Sequence, residues 1–314
     1  MAFKVINPGL MTVTEDFGRF GYQHIGVTTG GPMDEHAFLW ANRLLGNSFD
    51  SAQLEITIGQ LSLEVQQPTT IAITGGDLGA SINGKRIKPW FSYPVDSGDL
   101  IAFNTAVNGL RAYLAVKGGF DFPQQLGSAS TVSREKIGGL RSDGKKLAPG
   151  DLLNYKPTHP LPHTSVPSQF IPDYQAPITL GVIPGYQCDS FSKAEISKFF
   201  SSEYEVSADI DRMGYRLSGE PVHSSLDGII SEGISYGAIQ IPKDGQPIIL
   251  LRDRQTIGGY PKIGCVTSLD AARISQRGPG TKVRFALKDI HEAEADRMIY
   301  NNFFGIGRRI APVN

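Results

Sequence analysis

The sequence predicts a mainly β protein with a few short helices. Its 314 residues include 36 glycines and 20 prolines, and this density of turn-forming residues favours many short strands over long helices. Short apolar or alternating runs recur between turn signals such as Asn83-Gly84 and Asp244-Gly245, as in barrels and sandwiches. Helical periodicity is confined to a few segments. We expect two β domains, over residues 1–155 and 178–314, joined by a proline-rich linker at 156–177.

The composition argues against several classes of protein. The formal net charge is −1 and no stripe of Lys and Arg stands out, so we expect no nucleic-acid partner. No apolar run approaches the length of a transmembrane helix, and the start Met1-Ala2-Phe3-Lys4 does not resemble a signal peptide. Cys188 and Cys265 lie far apart in a chain with no predicted leader, which predicts free thiols. These features predict a cytoplasmic protein that does not associate with membranes.

In the N-terminal half, predicted strands surround one helix. The helix is predicted over residues 33–45, because Pro32 lies at its entry, Asp34 stands in its first turn and Gly46 follows its end. Asp34 complements the helix dipole or, alternatively, stands at the rim of a ligand-binding loop. The dipeptide Asn83-Gly84 predicts a type I′ hairpin.

One segment resembles a phosphate-binding loop without its context. Residues 139–146 have the spacing of such a loop, but Lys146 stands where Ser or Thr would hold magnesium, and Pro149-Gly150 predicts a turn where a helix should begin. We therefore predict no phosphate loop there. In the linker, His159 and His163 are expected to be solvated, because a proline-rich segment does not form the helix that would bring them onto one face. No metal site is predicted.

In the C-terminal half, helices are predicted over residues 193–200, near 268–275 and over 290–303. Ser192 with Glu195 forms a capping box before the first helix, and Asp289 caps the last. The tail Gly307-Arg308-Arg309 is short and basic, and is expected to be a solvated end.

The most informative stretch is 228–264. It begins with a strand-like apolar run, and its runs around Asp244-Gly245 predict a hairpin. Charged and polar residues then follow the apolar run 247–251 at once, from Arg252 to Thr256, before Gly258-Gly259-Tyr260. Charges at the end of a buried strand must be paired, hydrogen-bonded or directed into a cleft. Two interpretations stay open: a buried Arg–Asp pair that closes a sheet corner, or a ligand site.

Several motif-like segments follow one another along nearly the whole chain: 8–10 (PGL), 15–19 (EDFGR), 31–34 (GPMD), 41–47 (ANRLLGN), 212–217 (RMGYRL), 231–234 (SEGI), 237–242 (GAIQIP) and 253–261 (DRQTIGGYP). Together they resemble the biotin-dependent carboxyltransferase, or allophanate hydrolase subunit 2, family, and within it the branch that supplies the C subunit of 5-oxoprolinases. Three departures from the family pattern are Glu15 in place of Gln, Ala129 where Arg is frequent, and Lys145 where Arg is frequent.

The resemblance implies two cyclophilin-like β-barrel domains and a role in a larger enzyme. It implies a direct partner, the 5-oxoprolinase B subunit, and a third component, the A subunit, which together would cleave 5-oxo-L-proline to L-glutamate with ATP. Two alternatives follow from the same family: the carboxyltransferase component of a urea-carboxylase-like enzyme, or a non-catalytic regulator that antagonises a kinase inhibitor. The expected cofactor is ATP with Mg²⁺, bound by this chain, by the partner or by both. Biotin is expected only under the carboxyltransferase alternative, and on another protein.

The resemblance also implies site residues. The residues expected to act in catalysis are Arg254, Asp253 and Asp34. Those expected to bind substrate are Arg212, Tyr215, Gln240, Gln255, Tyr260, Gly258 and Gly259. Arginines suit a substrate carboxylate or developing negative charge, and the amide and phenol groups can hydrogen-bond a planar amide or ureido ring. Glu232 and Asp16 are further candidate metal or base groups, and Arg252 and Arg19 further candidate cations.

Overall fold

The computed structural model describes residues 2–159 and 161–307. The chain forms two compact units. The first contains the residues up to Arg19 together with Gly30–Gln175, and the second contains Phe20–Thr29 together with the residues from Ala176 onward. Both units are built mainly from strands with a few short helices, which confirms the predicted fold class. Arg308 and Arg309, predicted to lie in a solvated end, are outside the described residues.

The first unit consists of two antiparallel sheets and one helix. One sheet has the strand order β11-β1-β4-β9-β6-β7 and the other has the order β2-β3-β10-β5-β8. Its strands are β1 (Ala2–Pro8), β2 (Met11–Glu15), β3 (Gln53–Thr57), β4 (Leu61–Val65), β5 (Thr69–Asp77), β6 (Ser81–Ile82), β7 (Lys85–Arg86), β8 (Phe91–Val95), β9 (Leu100–Ala102), β10 (Asn108–Val116) and β11 (Leu152–Asn154).

Both sheets of the first unit contribute to one apolar core. Phe3 of β1 and Leu63 of β4 come from one sheet, and Ile56 of β3 and Leu114 of β10 come from the other. The strands alternate between core-facing and outward-facing residues, as in Leu61–Val65, because successive side chains of a strand point to opposite faces. The core therefore fixes the strand register.

The second unit is built on a closed barrel. Seven strands follow one another around it in the order β12-β19-β16-β17-β14-β13-β20. All neighbours are antiparallel except β12 and β20, whose parallel pairing closes the barrel. The strands of this unit are β12 (Ile178–Pro184), β13 (Glu203–Ile210), β14 (Gly214–Ser218), β15 (Glu232–Gly233), β16 (Ala238–Gln240), β17 (Ile248–Leu250), β18 (Ile257–Gly258), β19 (Lys262–Val266) and β20 (Lys282–Leu287), of which β15 and β18 form a separate pair.

Two helices begin at the caps that the sequence indicated, Ser192 and Asp289, whereas the first begins at Glu35 rather than at the predicted residue 33. The helices are α1 (Glu35–Leu44), α2 (Lys193–Ser201), α3 (Ser268–Ile274) and α4 (Ile290–Phe304), with short 3-10 helices at Gln23–Ile25, Ser168–Phe170 and Tyr186–Ser190. Asp34 caps α1, Ser192 caps α2 and Asp289 caps α4, each through a side-chain oxygen that accepts a backbone N–H. Helix α2 packs on the barrel through Phe199, whose ring stacks on Phe285 at 4.4 Å.

Two hairpin predictions are confirmed, one of them only in part. Asn83 and Gly84 both have positive φ, 51° and 76°, as a type I′ turn requires, and they join β6 to β7. Around Asp244-Gly245, β16 pairs with β17 as predicted. The apolar run that opens the 228–264 stretch, however, is not a strand, and Ile230 is 94% exposed. Apolar content alone does not make a strand where no neighbouring strand is available to pair.

The segment predicted as a linker, 156–177, packs on the first unit as far as Gln175. Val166 and Tyr174 are buried, and Ser165 forms a β-bridge with Phe91. His163 is exposed, as expected of a solvated residue, and it also stacks on Phe91 with ring centroids 5.2 Å apart and hydrogen-bonds to the Ser92 carbonyl. The prolines keep the segment extended, and hydrogen bonds between Thr164 and Ser92 hold it against β8.

The backbone at Gly138 yields a testable prediction. Gly138 has φ +69°, and a Cβ built on it would lie 1.9 Å from the Ser130 carbonyl oxygen. Gly127 has a similar φ of +74° but open space around it. Gly127→Ala should cost about 1–2 kcal/mol of unfolding free energy through backbone strain alone. Gly138→Ala should cost about 1–3 kcal/mol more, because the clashing backbone must also move. Denaturant unfolding of the two variants measures the difference, and equal losses would contradict it.

Candidate functional site

The second unit contains a cleft of about 240 Å³ beside the end of β12. Strand β12 pairs antiparallel with β19, with Pro184 opposite Gly264, so the residues that follow β12 lie next to the start of β19. The Gly185 amide fixes this arrangement by donating to the Ile263 carbonyl at 3.2 Å. The side chains that matter in the cleft are Tyr186, Gln187, Glu232, Ser235, Lys262 and Cys265.

Glu232 is the centre of the polar side chains in the cleft. Its Oε1 accepts hydrogen bonds from Lys262 Nζ and from Gln187 Nε2, the latter at 2.9 Å, and its Oε2 accepts one from the Tyr186 hydroxyl. Gln187 also accepts the Lys262 backbone N–H at 2.8 Å. The hydrogen bonds from Lys262 and Tyr186 hold the pKa of Glu232 below its ordinary value. The cleft therefore contains a carboxylate beside an ammonium group.

Cys265 forms part of the cleft wall, with Arg254 nearby. The Cys265 thiol donates to the Tyr236 carbonyl at 3.2 Å. Burial raises its pKa to about 11, although the charge of Arg254 acts in the opposite direction. Arg254 is 7% exposed, and its guanidinium donates to the carbonyls of Ile234 and Leu251 at 3.0 and 3.3 Å. Burial, and then the charge of Arg252, lower the pKa of Arg254 to about 10, so it remains a cation at neutral pH.

Arg212 and Asp253 form a buried bidentate ion pair. Arg212 Nε and Nη2 donate to the two carboxylate oxygens of Asp253 at 2.8 and 3.0 Å, and both side chains are under 10% exposed. The Asp253 backbone N–H also donates to the Arg212 carbonyl at 2.9 Å. For these two residues the structure shows the arrangement of the first interpretation, an Arg–Asp pair at the end of β17.

Gln240 and Gln255 lie on either side of Gly258. A Cβ built on Gly258 would be 2.9 Å from Gln240 Nε2, 3.5 Å from Gln255 Nε2 and 2.5 Å from Ile234 Cδ1. Gln240 is 2% exposed, and its Nε2 has no hydrogen-bond partner in the described part of the chain. Because Gly258 has no side chain, the Gln240 amide fits beside it. A larger residue at position 258 would displace that amide.

The remaining predicted site residues are dispersed. The Tyr215 hydroxyl donates to the Ser275 carbonyl at 2.9 Å within the barrel, where the side chain is fully buried. The Gly259 carbonyl accepts the Ile229 N–H at 2.8 Å. Tyr260 is 49% exposed and lines a second cleft of about 330 Å³ together with His223 and Lys243.

Asp34 lies in the first unit. Its carboxylate accepts the Ala37 N–H at 3.1 Å and the Tyr174 hydroxyl at 2.7 Å, and the side chain is 2% exposed. Asp34 therefore caps α1 rather than lying in its first turn, and its place at the positive end of the helix dipole agrees with the first of its two interpretations. Asp16 and Arg19 do not pair with each other there: Asp16 accepts from Ser128 and Ser130 at 2.6 and 2.7 Å, and Arg19 donates to backbone carbonyls of the same segment.

Sequence reasoning did not single out Tyr186, Gln187 or Lys262. Tyr186 and Gln187 follow a Pro-Gly turn, and Lys262 is an ordinary lysine just after Pro261. They meet Glu232 only because β12 pairs with β19 and β15 pairs with β18. The local sequence signal that pointed to this cluster was Glu232 itself, a carboxylate between Ser231 and Gly233 in one of the matched segments.

The model of the carboxyltransferase domain, subdomain A and B, matches residues 25–287. The chain belongs to this carboxyltransferase-domain family. It is 33% identical to the 5-oxoprolinase C subunit of Escherichia coli (strain K12) over 302 residues, which are 96% of each chain. It is 32% identical to urea amidolyase of Lachancea kluyveri over 90% of its own length, but it covers only 17% of that protein.

The fold is shared with a solved member of the carboxyltransferase-domain family. The crystal structure of the Kluyveromyces lactis urea carboxylase superposes with a TM-score of 0.89 and 29% identity over 96% of this chain, which spans 29% of that larger chain. These findings confirm the family resemblance. The matched residues 25–287 include the cleft, the Arg212–Asp253 pair and the two glutamines.

Over 2–159 and 161–307, no group of three or more His, Cys, Asp or Glu side chains is arranged to hold a metal ion. In that same part of the chain, no helix is both long and apolar enough to cross a membrane. Cys188 and Cys265 are free thiols, as predicted.

The Arg212–Asp253 pair yields a stability prediction. Removing one partner leaves the other charge buried, which typically costs about 3–5 kcal/mol. We expect Asp253→Ala to lower the free energy of unfolding by that amount. The exposed pair of Lys282 with Glu205, 2.8 Å apart, provides a control, because Glu205→Ala should cost under about 1 kcal/mol. Urea denaturation of both variants tests this, and similar small losses would contradict it.

The Cys265 thiol yields a pH prediction. With Cys188→Ser to remove the second thiol, ultraviolet absorbance should show the Cys265 thiolate forming near pH 11 rather than at its ordinary 9.0. Between these values the unfolded chain loses its thiol proton before the folded chain does, so the free energy of unfolding should fall as pH rises. A thiolate midpoint at or below 9.0 would contradict the effect of burial.

Proposed function

We propose that this chain is a component of an ATP-dependent 5-oxoprolinase, which opens the lactam of 5-oxo-L-proline to give L-glutamate together with its A and B subunits. The observation that carries the proposal is the 33% identity, across 96% of both chains, to the C subunit of such an enzyme. A second relative, the 5-oxoprolinase C subunit of Haemophilus influenzae, is 32% identical over 89% of each chain. In our proposal the B subunit is the direct partner and the assembly works in the cytoplasm.

The chemistry explains the demand for ATP. A lactam carbonyl is a poor electrophile, and ATP supplies activation by phosphorylating its oxygen. The cleft can assist through fixed hydrogen-bond donors, since preorganised donors stabilise charge that develops on an oxygen. Lys262 provides an ammonium group at one wall of the cleft, where it is paired with Glu232. Arg254 adds positive charge behind the wall, close enough to affect the pKa of Cys265.

Neither the loop-like segment 139–146 nor the carboxylates Asp253 and Asp34 suit ATP with Mg²⁺. Residues 139–146 form turns with no helix after them, so they lack the helix N-terminus on which a phosphate loop depends. Asp253 and Asp34 are engaged by Arg212 and by the start of α1. In our proposal ATP and its Mg²⁺ are therefore held by the partner protein or shared with it, and Asp253 and Asp34 support the structure.

The similarity of fold supports a second candidate function, the carboxyltransferase component of a biotin-dependent enzyme. The superposition on a urea carboxylase covers 96% of this chain at a TM-score of 0.89, and the groups in the cleft also suit urea or the ureido ring of biotin. In this case the biotin would arrive on a separate carrier protein, and the chain would bind free biotin.

The proposal predicts that turnover depends on all three components. ATP hydrolysis should be stimulated by 5-oxo-L-proline when this chain is mixed with the A and B subunits, and it should fall to background when any one is omitted. Lys262→Met should lower the activity at least about tenfold while the complex still forms. The exposed Lys282→Met is a matched control that should retain activity.

If the complete mixture does not hydrolyse ATP in response to 5-oxoproline, the lactam proposal is wrong. Binding of biotin, together with carboxyl transfer to urea from a biotinylated carrier, would then support the second candidate.

A further inference from the structure

The inference rests on the proposed function and concerns how the cleft recognises the lactam. It starts from the donors and acceptors around Glu232. Gln187 uses both amide hydrogens, toward the Tyr186 hydroxyl at 3.1 Å and Glu232 Oε1 at 2.9 Å, and its carbonyl accepts the Lys262 N–H. The Tyr186 hydroxyl donates its hydrogen to Glu232 Oε2. Gln187 therefore holds the side chains of Tyr186 and Glu232 and the backbone of Lys262 in place.

Two groups in the cleft can still form hydrogen bonds with a ligand. A carboxylate has about four acceptor positions. Glu232 Oε1 uses two of its positions and Oε2 uses one, so one position remains on Oε2. An ammonium group has three hydrogens. Lys262 Nζ donates one to Glu232, and the other two meet no acceptor in the part of the chain that the structure describes.

The exposure of the pair suits a small polar ligand. The Lys262 side chain is 12% exposed, whereas the Glu232 side chain is 31% exposed. Hydrogen bonds to a charged group gain strength when water is excluded, so a ligand that contacts Lys262 through the cleft meets a shielded cation. The ion pair also keeps Glu232 ionised, so that it acts only as an acceptor.

We propose that Lys262 and Glu232 together bind the amide edge of the lactam, with Glu232 Oε2 accepting the ring N–H and Lys262 Nζ donating to the ring carbonyl oxygen. A small ring forces its amide into the cis form, so the N–H and the carbonyl oxygen point to the same side. An adjacent acceptor and donor match that edge. An ordinary linear amide is trans, with these groups on opposite sides, and cannot contact both partners at once.

The pair therefore determines specificity for cyclic amides over linear ones. Glu232 and Lys262 have distinct roles: Glu232 selects for the ring N–H, and Lys262 binds the oxygen on which charge develops. Tyr186 and Gln187 act as positioning residues, because their hydrogen bonds are already made to Glu232 and Lys262.

The test combines a change in the ligand with a change in the protein. Dissociation constants are measured by calorimetry for the assembly of this chain with the A and B subunits, without ATP. The ligands are 5-oxo-L-proline, its N-methyl derivative, which lacks the N–H, and N-acetylglycine, which has a linear amide and a carboxylate. We expect the wild-type assembly to bind both comparison ligands about 10- to 100-fold more weakly, the range for a hydrogen bond to a charged group.

In Glu232→Ala, the difference between 5-oxo-L-proline and its N-methyl derivative should shrink to within about twofold, because the acceptor of the N–H is gone. Glu232→Gln tests the same point in a side chain of nearly the same shape. Lys262→Met should weaken both ring ligands alike. Lys282→Met, which removes an exposed lysine paired with Glu205, should change none of the constants. Circular dichroism of each variant confirms that it is folded.

The outcomes separate this inference from the proposed function. The assembly could hydrolyse 5-oxoproline while both Glu232 variants still bind the N-methyl derivative about 10- to 100-fold more weakly than 5-oxo-L-proline. In that case the recognition inference is wrong and the proposed function stands. If the wild-type assembly neither binds nor hydrolyses 5-oxoproline, the proposed function fails and this inference fails with it. Equal binding of the ring ligand and N-acetylglycine by the wild type would also overturn the inference.

Discussion

The candidate site depends on the antiparallel pairing of β12 with β19. Strand β12 lies between β19 and β20 in the barrel, and its parallel pairing with β20 closes the ring of strands. Closure removes sheet edges and fixes the register of every strand around the core. As a result, the residues just after β12 have a defined position beside the start of β19. The side chains of Tyr186, Gln187 and Lys262 therefore meet at Glu232 on a rigid support, which a catalytic or binding site requires.

Buried charge is the second constraint on this unit. Arg212, Asp253 and Arg254 are buried next to the ends of strands. Each of these charges needs an opposite charge or hydrogen-bond partners there. Arg254 meets this need with the carbonyls of Ile234 and Leu251. The Ile234 carbonyl also accepts the Gln23 side chain, and the Arg254 carbonyl accepts Thr28. The segment Phe20–Thr29 is thus joined to the second unit through the same backbone groups that hold the arginine. Changes in this network would alter both stability and the electrostatic environment of the cleft.

Local features were predictable from the sequence, and long-range ones were not. The caps Asp34, Ser192 and Asp289 each act within a few residues of themselves, and the Asn83-Gly84 turn depends only on its own backbone conformation. The change from the apolar run 247–251 to polar residues located the charged stretch 252–256, but not which of its residues face a cleft. The packing of 156–175 and the assignment of Phe20–Thr29 to the second unit depend on contacts distant in sequence. Tyr186 and Lys262 escaped notice for the same reason, because strand pairing alone brings them together.

The polar groups of the cleft bear on the choice between a lactam and a ureido ring. Both rings present a cis edge with one N–H beside the carbonyl oxygen, so both match an acceptor next to a donor. A ureido ring carries a second N–H on the far side of its carbonyl, whereas a lactam has a carbon there. Glu232 retains one acceptor position, which the first N–H would fill. The second N–H would need a further acceptor or water, where a hydrogen bond adds little net free energy. A lactam leaves no such donor to satisfy, so under the recognition that we propose it matches the donors and acceptors around Glu232 more fully than a ureido ring does.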